Sequence, residues 1–424
     1  MSSPTKKQQS VIKMVQGNQI SILSGGPGVG KSFTANLIVQ WAKKNKLIVL
    51  QAAPTGKAAK RMIEATNHYA STIHTMLGCE FDNDKFVFIH NSSNQLFADL
   101  IILDETSMIN NDLMASVMDA IDTKKTKLLL IGDQNQLPSV GAGAVLRDLL
   151  SSKVVPHIEL DEIFRNSGSI VECCHRVKNG QSYFPADKLD LKAENPVNLI
   201  HIECCSPEKT LAGIKKIVCD RMPLRGYDPI NDIQVISPVN TKGLLSCESI
   251  NDVLRDQLNP PPFPLNQEDK KQFRTGDKII NTQNTPVIST DNKKTAIVNG
   301  DIGIIQEIKE KNMSILFSNP DREVLLSKTD KTLLFAYCIT CHRFQGSESP
   351  VIIIPVHTQF NYFISNPWIY TALSRGKEIV ITIGAFDTIQ KAILNKQPND
   401  RETRLSERIV EEYNRQLNIE FGGI

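Results

Sequence analysis

A short apolar run, Ile20 to Leu23, breaks into a loop holding Gly25, Gly26, Gly28 and Gly30, and Lys31-Ser32 follows at once. A helical pattern then carries Ala35, Leu37, Ile38, Val39 and Trp41 on its apolar positions. The loop fits the phosphate-binding spacing G-x-x-x-x-G-K-[ST]. Glycines let successive backbone N–H groups turn inward on phosphate oxygens, and the helix N-terminus adds partial positive charge. Gly26, Gly28, Val29, Gly30 and Phe33 line that cradle. Lys31 is placed to reach the β- and γ-phosphates, and the Ser32 hydroxyl to hold Mg2+. The stretch commits the chain to a strand, a phosphate loop and a helix. It binds a nucleoside triphosphate, expected to be ATP, and the open question is what the energy drives.

A length of 424 residues allows two to four domains, enough for two sizeable cores. The hydrophobic fraction of 41% against 22% charged residues is that of a soluble globular protein. No apolar run approaches a membrane span, and the polar start has no signal-peptide core. The expectation is a cytoplasmic chain without a membrane partner, nucleoid-associated if bacterial or viral. Nine cysteines, two pairs of them adjacent, read as free thiols in a chain of this length. A formal charge of +2 means that any nucleic acid is held by a local groove and not by a globally basic surface.

Gln8-Gln9 open a helix (Gln8 to Val15) that leads into the first strand. A second strand, Leu47 to Ala53, runs into Pro54-Thr55-Gly56-Lys57 and another helix. Loops at the ends of parallel strands present ligand contacts, and Thr55, the Gly56 backbone and Lys57 suit phosphate oxygens. His74 lies in a short apolar turn, where a core role is the plainer reading. Residues 79–96 interrupt the α/β rhythm: Lys85 to Ile89 is rich in strand formers between turn-forming clusters, which reads as an inserted β-hairpin. Its Phe86 and Phe88 either stack on a nucleic-acid base or hold the hairpin to its domain. Leu100 to Leu103 ends in Asp104-Glu105. Asp104 is placed to help Ser32 hold Mg2+, and Glu105 to polarise the attacking water. Leu128 to Ile131 leads to Gln136, whose amide can sense the γ-phosphate. Arg165 follows the expected strand His157 to Leu160 and is a candidate arginine finger.

Taken together these blocks resemble the superfamily 1 DNA helicases, and most closely their RecD-like branch, which moves five-prime to three-prime. GGPGVGKS (25–32), APTGKAAKR (53–61), STIHTMLG (71–78), LDETSM (103–108) and GDQNQLPSVGAGAVLRDLL (132–150) follow the family's motifs in order. The match continues through Val235 to Gly243, Phe273 to Lys278, Val298 to Gly303, Ala336 to Glu348 and Tyr370 to Arg375. The Pif-type branch shares some blocks and is the alternative. A nucleic-acid-stimulated ATPase that remodels protein–DNA complexes is the alternative of another class. A small-molecule kinase needs neither a second α/β domain nor two arginines. The phosphate loop begins at Gly25, so the resemblance is to a short form lacking the N-terminal domain of long bacterial RecD-like proteins.

The resemblance implies roles residue by residue. Gln8 reads adenine, and Gly346 and Glu348 complete the nucleotide contacts, Glu348 at the ribose. Arg165 and Arg375 reach in from the second domain to stabilise transition-state charge. Pro54, Thr55, Gly56, His74, Asn240, Thr340 and His342 face the single strand. The implied partners are single-stranded DNA and duplex junctions, with a single-strand-binding or other replication or repair protein as a further candidate, and the implied state is a monomer. Cys338-Ile-Thr-Cys341-His342 matches the haem-attachment spacing C-x-x-C-H. The helicase resemblance already accounts for Thr340 and His342, and the two cysteines are taken as incidental.

The expected architecture is α/β: two tandem RecA-like P-loop domains, with ATP in the cleft between them. The first spans residues 1–155 with its hairpin insertion at about 79–96. The second spans 156–275 and 328–390 and carries a small β-barrel insertion at 276–327, where strand-like runs alternate with Gly, Asn and Asp. Phe360, Tyr362, Phe363, Trp368 and Tyr370 can stack on bases near a DNA groove, but core or inter-domain packing is the plainer reading. A C-terminal helical tail, 391–424, carries Leu405, Ile409, Tyr413 and Leu417 four apart and is expected to pack on the second domain.

Overall fold

Leu100-Ile-Ile-Leu103 is apolar at every position because both faces of its strand are covered. Leu100 and Ile102 join one hydrophobic core, and Ile101 and Leu103 join another. The structure, a computed structural model, describes residues 4–82, 85–162, 168–183, 185–261, 272–290, 294–317, 321–395, 401 and 403–421. The chain forms two units, Met1–Arg165 with Gln397–Ile424, and Asn166–Lys396.

The first unit contains strands β1 (Ile20–Gly25), β2 (Val49–Ala53), β3 (Ser71–Thr72), β4 (Cys79–Asp82), β5 (Lys85–Phe88), β6 (Leu100–Leu103), β7 (Lys127–Gly132) and β8 (His157–Leu160). Six of them form a parallel sheet in the order β3-β2-β6-β7-β1-β8. Helices α1 (Lys6–Gly17), α2 (Lys31–Lys44) and α3 (Gly56–Thr66) cover one face through residues such as Val11, Ile38 and Met62. Helices α4 (Ile73–Leu77), α5 (Asn111–Asp119) and α6 (Val145–Ser152) cover the other through Leu77, Val117 and Leu146. A sheet covered on both faces presents loops only at its strand ends, so the chemistry collects along one edge. Strand β8 pairs with β1, which carries the first unit past the expected boundary at 155. Strands β4 and β5 form an antiparallel hairpin, tied down by Ile89 N–H to the Gly78 carbonyl at 2.8 Å.

The second unit holds β9 (Leu199–Glu203), β10 (Ile233–Ser237), β11 (Lys278–Asn281), β12 (Thr285–Ile288), β13 (Lys294–Ile297), β14 (Ile302–Ile308), β15 (Asn312–Phe317), β16 (Arg322–Ser327), β17 (Leu333–Phe335), β18 (Cys338–Thr340), β19 (Ser349–Val356) and β20 (Gly376–Gly384). Its helices are α7 (Gly168–Lys178), α8 (Pro207–Lys216), α9 (Cys247–Leu258), α10 (Asn366–Leu373) and α11 (Phe386–Leu394). A parallel sheet runs β18-β10-β19-β20-β9. The insertion is a five-stranded antiparallel sheet, β16-β15-β14-β11-β17, with the β12–β13 ribbon beside it. It runs on through β17, beyond the expected end at 327, because Leu333 and Phe335 complete its core. Arg255 on α9 fastens it: the guanidinium is 2.7 Å from Asp277, and both side chains are buried.

The expectation for the tail is corrected by the structure. The C-terminal helix (Leu405–Phe421) belongs to the first unit, not the second. Leu405 and Ile409 are half-buried, but Tyr413 is exposed, so the stripe is covered at its start and not at Tyr413. The docking is polar: Thr403 bonds Asp148, and the Arg147 guanidinium donates to the Arg401 carbonyl at 2.9 Å. An apolar stripe gives the face of a helix, not the surface that receives it.

Candidate nucleotide site

Strand β7 lies between β6 and β1, and the register aligns their C-terminal ends: Leu103 opposes Leu130, and Ser24 opposes Gly132. The loops after these three strands therefore emerge side by side. The loop after β1 needs glycine for two reasons. Gly28 and Gly30 sit at φ 76° and 83°, in the left-handed region. A Cβ on Gly25 would come within 2.7 Å of the Leu160 carbonyl oxygen. Gly30 precedes α2 without a side-chain cap, so the first turn of α2 offers its backbone N–H groups to an anion. The Lys31 ammonium lies over the loop, donating to the carbonyls of Gly25 at 2.6 Å and Gly26 at 2.8 Å. Val29 is buried, whereas Ser32 is exposed and Phe33 half-buried at the start of α2.

Asp104 follows β6 directly, and its carboxylate accepts from the Glu105 N–H at 2.8 Å. Glu105 itself has φ 51°, a backbone state uncommon for a residue with a side chain. Next to it, the buried Thr106 hydroxyl lies 3.2 Å from the Leu103 carbonyl and 2.9 Å from that of Ile131, stapling the ends of β6 and β7. Burial, reinforced by the neighbouring Glu105 charge, pushes the Asp104 carboxyl up to about 6, against the pull of the Glu105 N–H, Lys31 and Arg61. The carboxylate is thus costly to ionise until a cation compensates it.

That cost has a sign in stability. The folded-state value of about 6 lies above the ordinary 3.8, so the ionisation penalty is present in full above about 6 and vanishes below about 4. Asp104→Asn removes the charge at every pH. In chelator and without nucleotide, the variant should melt above the wild type at about pH 8, with the gap closing by about pH 4. Melting curves across that range check it, and a gap that widens towards acid pH would contradict it.

Gln136, on the loop after β7, is buried, and its N–H reaches the Asp133 carbonyl at 3.3 Å. Lys31, Ser32, Asp104, Glu105 and Gln136 are therefore all set on adjacent strand ends of one unit. The structure gives Gln8 a capping role. Its side-chain oxygen accepts from the Thr5 N–H at 3.0 Å while the Thr5 hydroxyl accepts from the Gln8 N–H at 3.2 Å, a reciprocal cap on α1. Arg165 lies outside the described residues.

In the second unit, Arg375 follows α10 and is buried, with its guanidinium 3.5 Å from the Ser347 carbonyl. Its own carbonyl accepts from the Ser349 N–H at 3.1 Å, and Glu348 lies 4.0 Å from Lys377. Gly346, with φ 71°, turns the chain just before Ser347 and Glu348. Arg375, Gly346 and Glu348 are thus brought together.

The residues expected to face nucleic acid divide between the units. Pro54 ends the β2 loop, Thr55 caps α3 by accepting from the Ala58 N–H at 3.3 Å, and Gly56 starts that helix. His74 packs 5.9 Å from Phe88, and burial lowers its imidazole pKa. Phe88 is half-buried against the first unit's core, which favours its anchoring role. The side chain of Phe86 lies outside the described residues. In the second unit, Thr340 pairs with Ser237 at the ends of β18 and β10. Asn240 and His342 are exposed, and Asn240 accepts from Arg343 at 3.4 Å. Cys341, buried, has its thiol pushed up to about 12, as befits a packing group.

Two arginines escaped the sequence reading. Arg61 acts electrostatically on Asp104, and its signal was its place one turn beyond Lys57 on α3. Arg401 bonds the loop after Gln136, and no local pattern announces it.

The family model for an AAA domain matches residues 3–196, and that for a UvrD-like helicase C-terminal domain matches residues 335–383. The chain is 30% identical over 407 residues to the ATP-dependent RecD2 DNA helicase of Deinococcus radiodurans, covering 96% of this chain and 52% of that protein. It is 27% identical over 416 residues to the RecBCD enzyme subunit RecD of Mycolicibacterium smegmatis, covering 92% of this chain and 72% of that one. The chain thus spans about half the length of the first relative. Among solved structures it is similar to Pif1 helicase described at forked double-stranded DNA, with TM-score 0.53, 18% identity and coverage of 99% and 98%. It is also similar to Bacteroides Pif1 bound to single-stranded DNA, with TM-score 0.50, 18% identity and the same coverages. These two likenesses concern the fold. No helix among the described residues is long and apolar enough to cross a membrane.

Proposed function

We propose, from the premise that this chain belongs to the RecD-like branch of the superfamily 1 helicases, that it is an ATP-driven motor that translocates on single-stranded DNA and unwinds duplex. The observation that carries the reading is the alignment of three strand ends, which sets Lys31, Asp104, Glu105 and Gln136 together. A second parallel sheet, with the buried Arg375 just before the start of β20, supports it, because a kinase of small molecules needs neither.

Each side chain has a task. The backbone N–H groups of Gly26 and residues 28–33 cradle the phosphates, and Lys31 leaves the loop carbonyls for the β- and γ-phosphates. The donors at the metal position, the Ser32 hydroxyl and the Asp104 carboxylate, are hard oxygens that suit Mg2+. When bound, the ion offsets phosphate charge. Glu105 orients the attacking water and takes its proton. Gln136 reports the γ-phosphate, and Arg375 and Arg165 stabilise charge in the transition state. Gln8 and Glu348 hold adenine and ribose. Thr55, His74, Asn240, Thr340 and His342 grip the strand alternately as nucleotide comes and goes, which converts hydrolysis into movement. The motor acts as a monomer.

Steady-state ATPase with and without single-stranded DNA or RNA tests the reading, and strand displacement separates a helicase from a protein–DNA remodeller. ATP turnover indifferent to any nucleic acid would overturn it. Direction and strand separation give a second test. Tailed duplexes should open only from a five-prime single-stranded tail, and shortening the hairpin around β4 and β5 should abolish unwinding while sparing DNA-stimulated ATPase. Unwinding confined to three-prime tails overturns the polarity. Unwinding that survives the shortened hairpin places strand separation elsewhere.

A further inference from the structure

The loop from Asp133 to Ala144 joins Gln136 to α6, and within its far end the Ser139 hydroxyl lies 3.1 Å from the Gly141 carbonyl and 3.4 Å from that of Gly143. Ala144, which precedes α6, contributes no side-chain cap. Stronger, charge-assisted support comes from a residue some 260 positions away. Arg401 donates one guanidinium nitrogen to the carbonyls of Gly141 at 2.5 Å and Gly143 at 2.9 Å, and the other to the Ser139 carbonyl at 2.6 Å. A longer contact of 3.4 Å reaches the Ser139 hydroxyl. The Ala142 carbonyl accepts from the Asn111 N–H at 3.0 Å. Every acceptor from Gly141 to Gly143 is thus turned inward, while the Val140 side chain is left 84% exposed at the tip.

A planar guanidinium with five donors in a fixed fork suits three converging carbonyls, which an ammonium cannot span at once. The tail is itself fixed: Arg147 holds the Arg401 carbonyl, and Thr403 bonds Asp148, both partners standing on α6. Loop, α6 and tail therefore form one locked group, in which Arg401 sets the exit of the segment that Gln136 enters.

We propose that Arg401 is a positioning residue for Gln136, borne on the C-terminal tail: it fixes the Ser139–Gly143 carbonyls and so holds the sensor amide in register with the γ-phosphate. The proposal rests on the nucleotide-hydrolysing role assigned to the first unit. It makes turnover depend on a tail that returns to the first unit only after the chain has built the second.

The test uses the full chain. In Arg401→Ala, the KM for ATP should stay within about twofold while kcat falls by at least about tenfold, the size expected when a group is misplaced by a fraction of an ångström. Free guanidinium ion, at a concentration too low to shift the melting curve, should restore part of that kcat. Arg401→Lys should fall between the two. Thr403→Val is the comparison, because it weakens the tail's bond to Asp148 but leaves Arg401 its three carbonyls, and it should lower kcat clearly less than Arg401→Ala. Unchanged kcat in Arg401→Ala, with wild-type hydrolysis intact, overturns this proposal alone. Equal losses in Arg401→Ala and Thr403→Val, without guanidinium rescue, overturn it in favour of simple tail docking. A wild type that hydrolyses no ATP overturns the nucleotide reading, and this proposal with it.

Discussion

Glu105→Gln should bind ATP as the wild type does and hydrolyse it about 10²–10⁴-fold more slowly, the contribution of a positioned general base. The side chains are nearly equal in volume, so the loop after β6 is undisturbed, and binding rests on Lys31, Ser32, Asp104 and the backbone of residues 26–33. Glu105 occupies a left-handed backbone position, φ 51°, one residue beyond the strand. That conformation costs free energy, and it is held at a strand end beside the phosphate loop. Lys31→Ala is the complementary variant. It removes the charge that faces the β- and γ-phosphates and should abolish turnover along with tight binding. Nucleotide titration monitored by fluorescence, with single-turnover hydrolysis on the same preparations, separates the two. Wild-type turnover in Glu105→Gln would remove Glu105 from the role of base.

Much of this site is legible in the sequence because its residues follow their strands immediately. Asp104 follows Leu103, and Gly25 ends the run begun at Ile20, so finding the strand finds the residue. The all-apolar runs also announce a sheet covered on both faces, as the two cores flanking Leu100 to Leu103 bear out. The β-rich stretch after Gly276 is visible for a similar reason, since antiparallel strands between Gly, Asn and Asp have short-range punctuation.

What escapes is long-range. The end of the insertion depends on Phe335 sitting under Arg255, with the guanidinium 4.2 Å from the ring, and no spacing rule relates those positions. The tail's helical period is correct, but its destination is decided by Thr403 and Arg401 finding Asp148 and the Ser139–Gly143 carbonyls. Hydrogen bonds between residues this far apart leave no periodic trace. Phe88 shows a third limit: a phenylalanine beside a turn reads equally as an exposed stacking platform or as an anchor, and only its packing against His74 tells which surface it meets.

Arg375→Ala should lower DNA-stimulated kcat by about 10³-fold or more while nucleotide affinity changes far less, the signature of an arginine that acts on transition-state charge. Ground-state phosphates are already compensated by the loop and Lys31, so a further cation gains most when charge shifts towards the leaving group. Arg375 is 2% exposed, and its guanidinium is steadied by the Ser347 carbonyl next to Glu348. Arginine keeps its charge when buried, where lysine readily loses its proton, so Arg375→Lys should recover little. Because the side chain is buried, the alanine variant could also fail by loosening the second unit, and the two failures differ in what they spare. A catalytic loss leaves the melting temperature and single-strand affinity near wild type while kcat collapses; a packing loss lowers all three together. Arg165→Ala, measured in parallel, should show the same split of kcat from affinity. Unaltered DNA-stimulated kcat in either variant would return that arginine to a structural role.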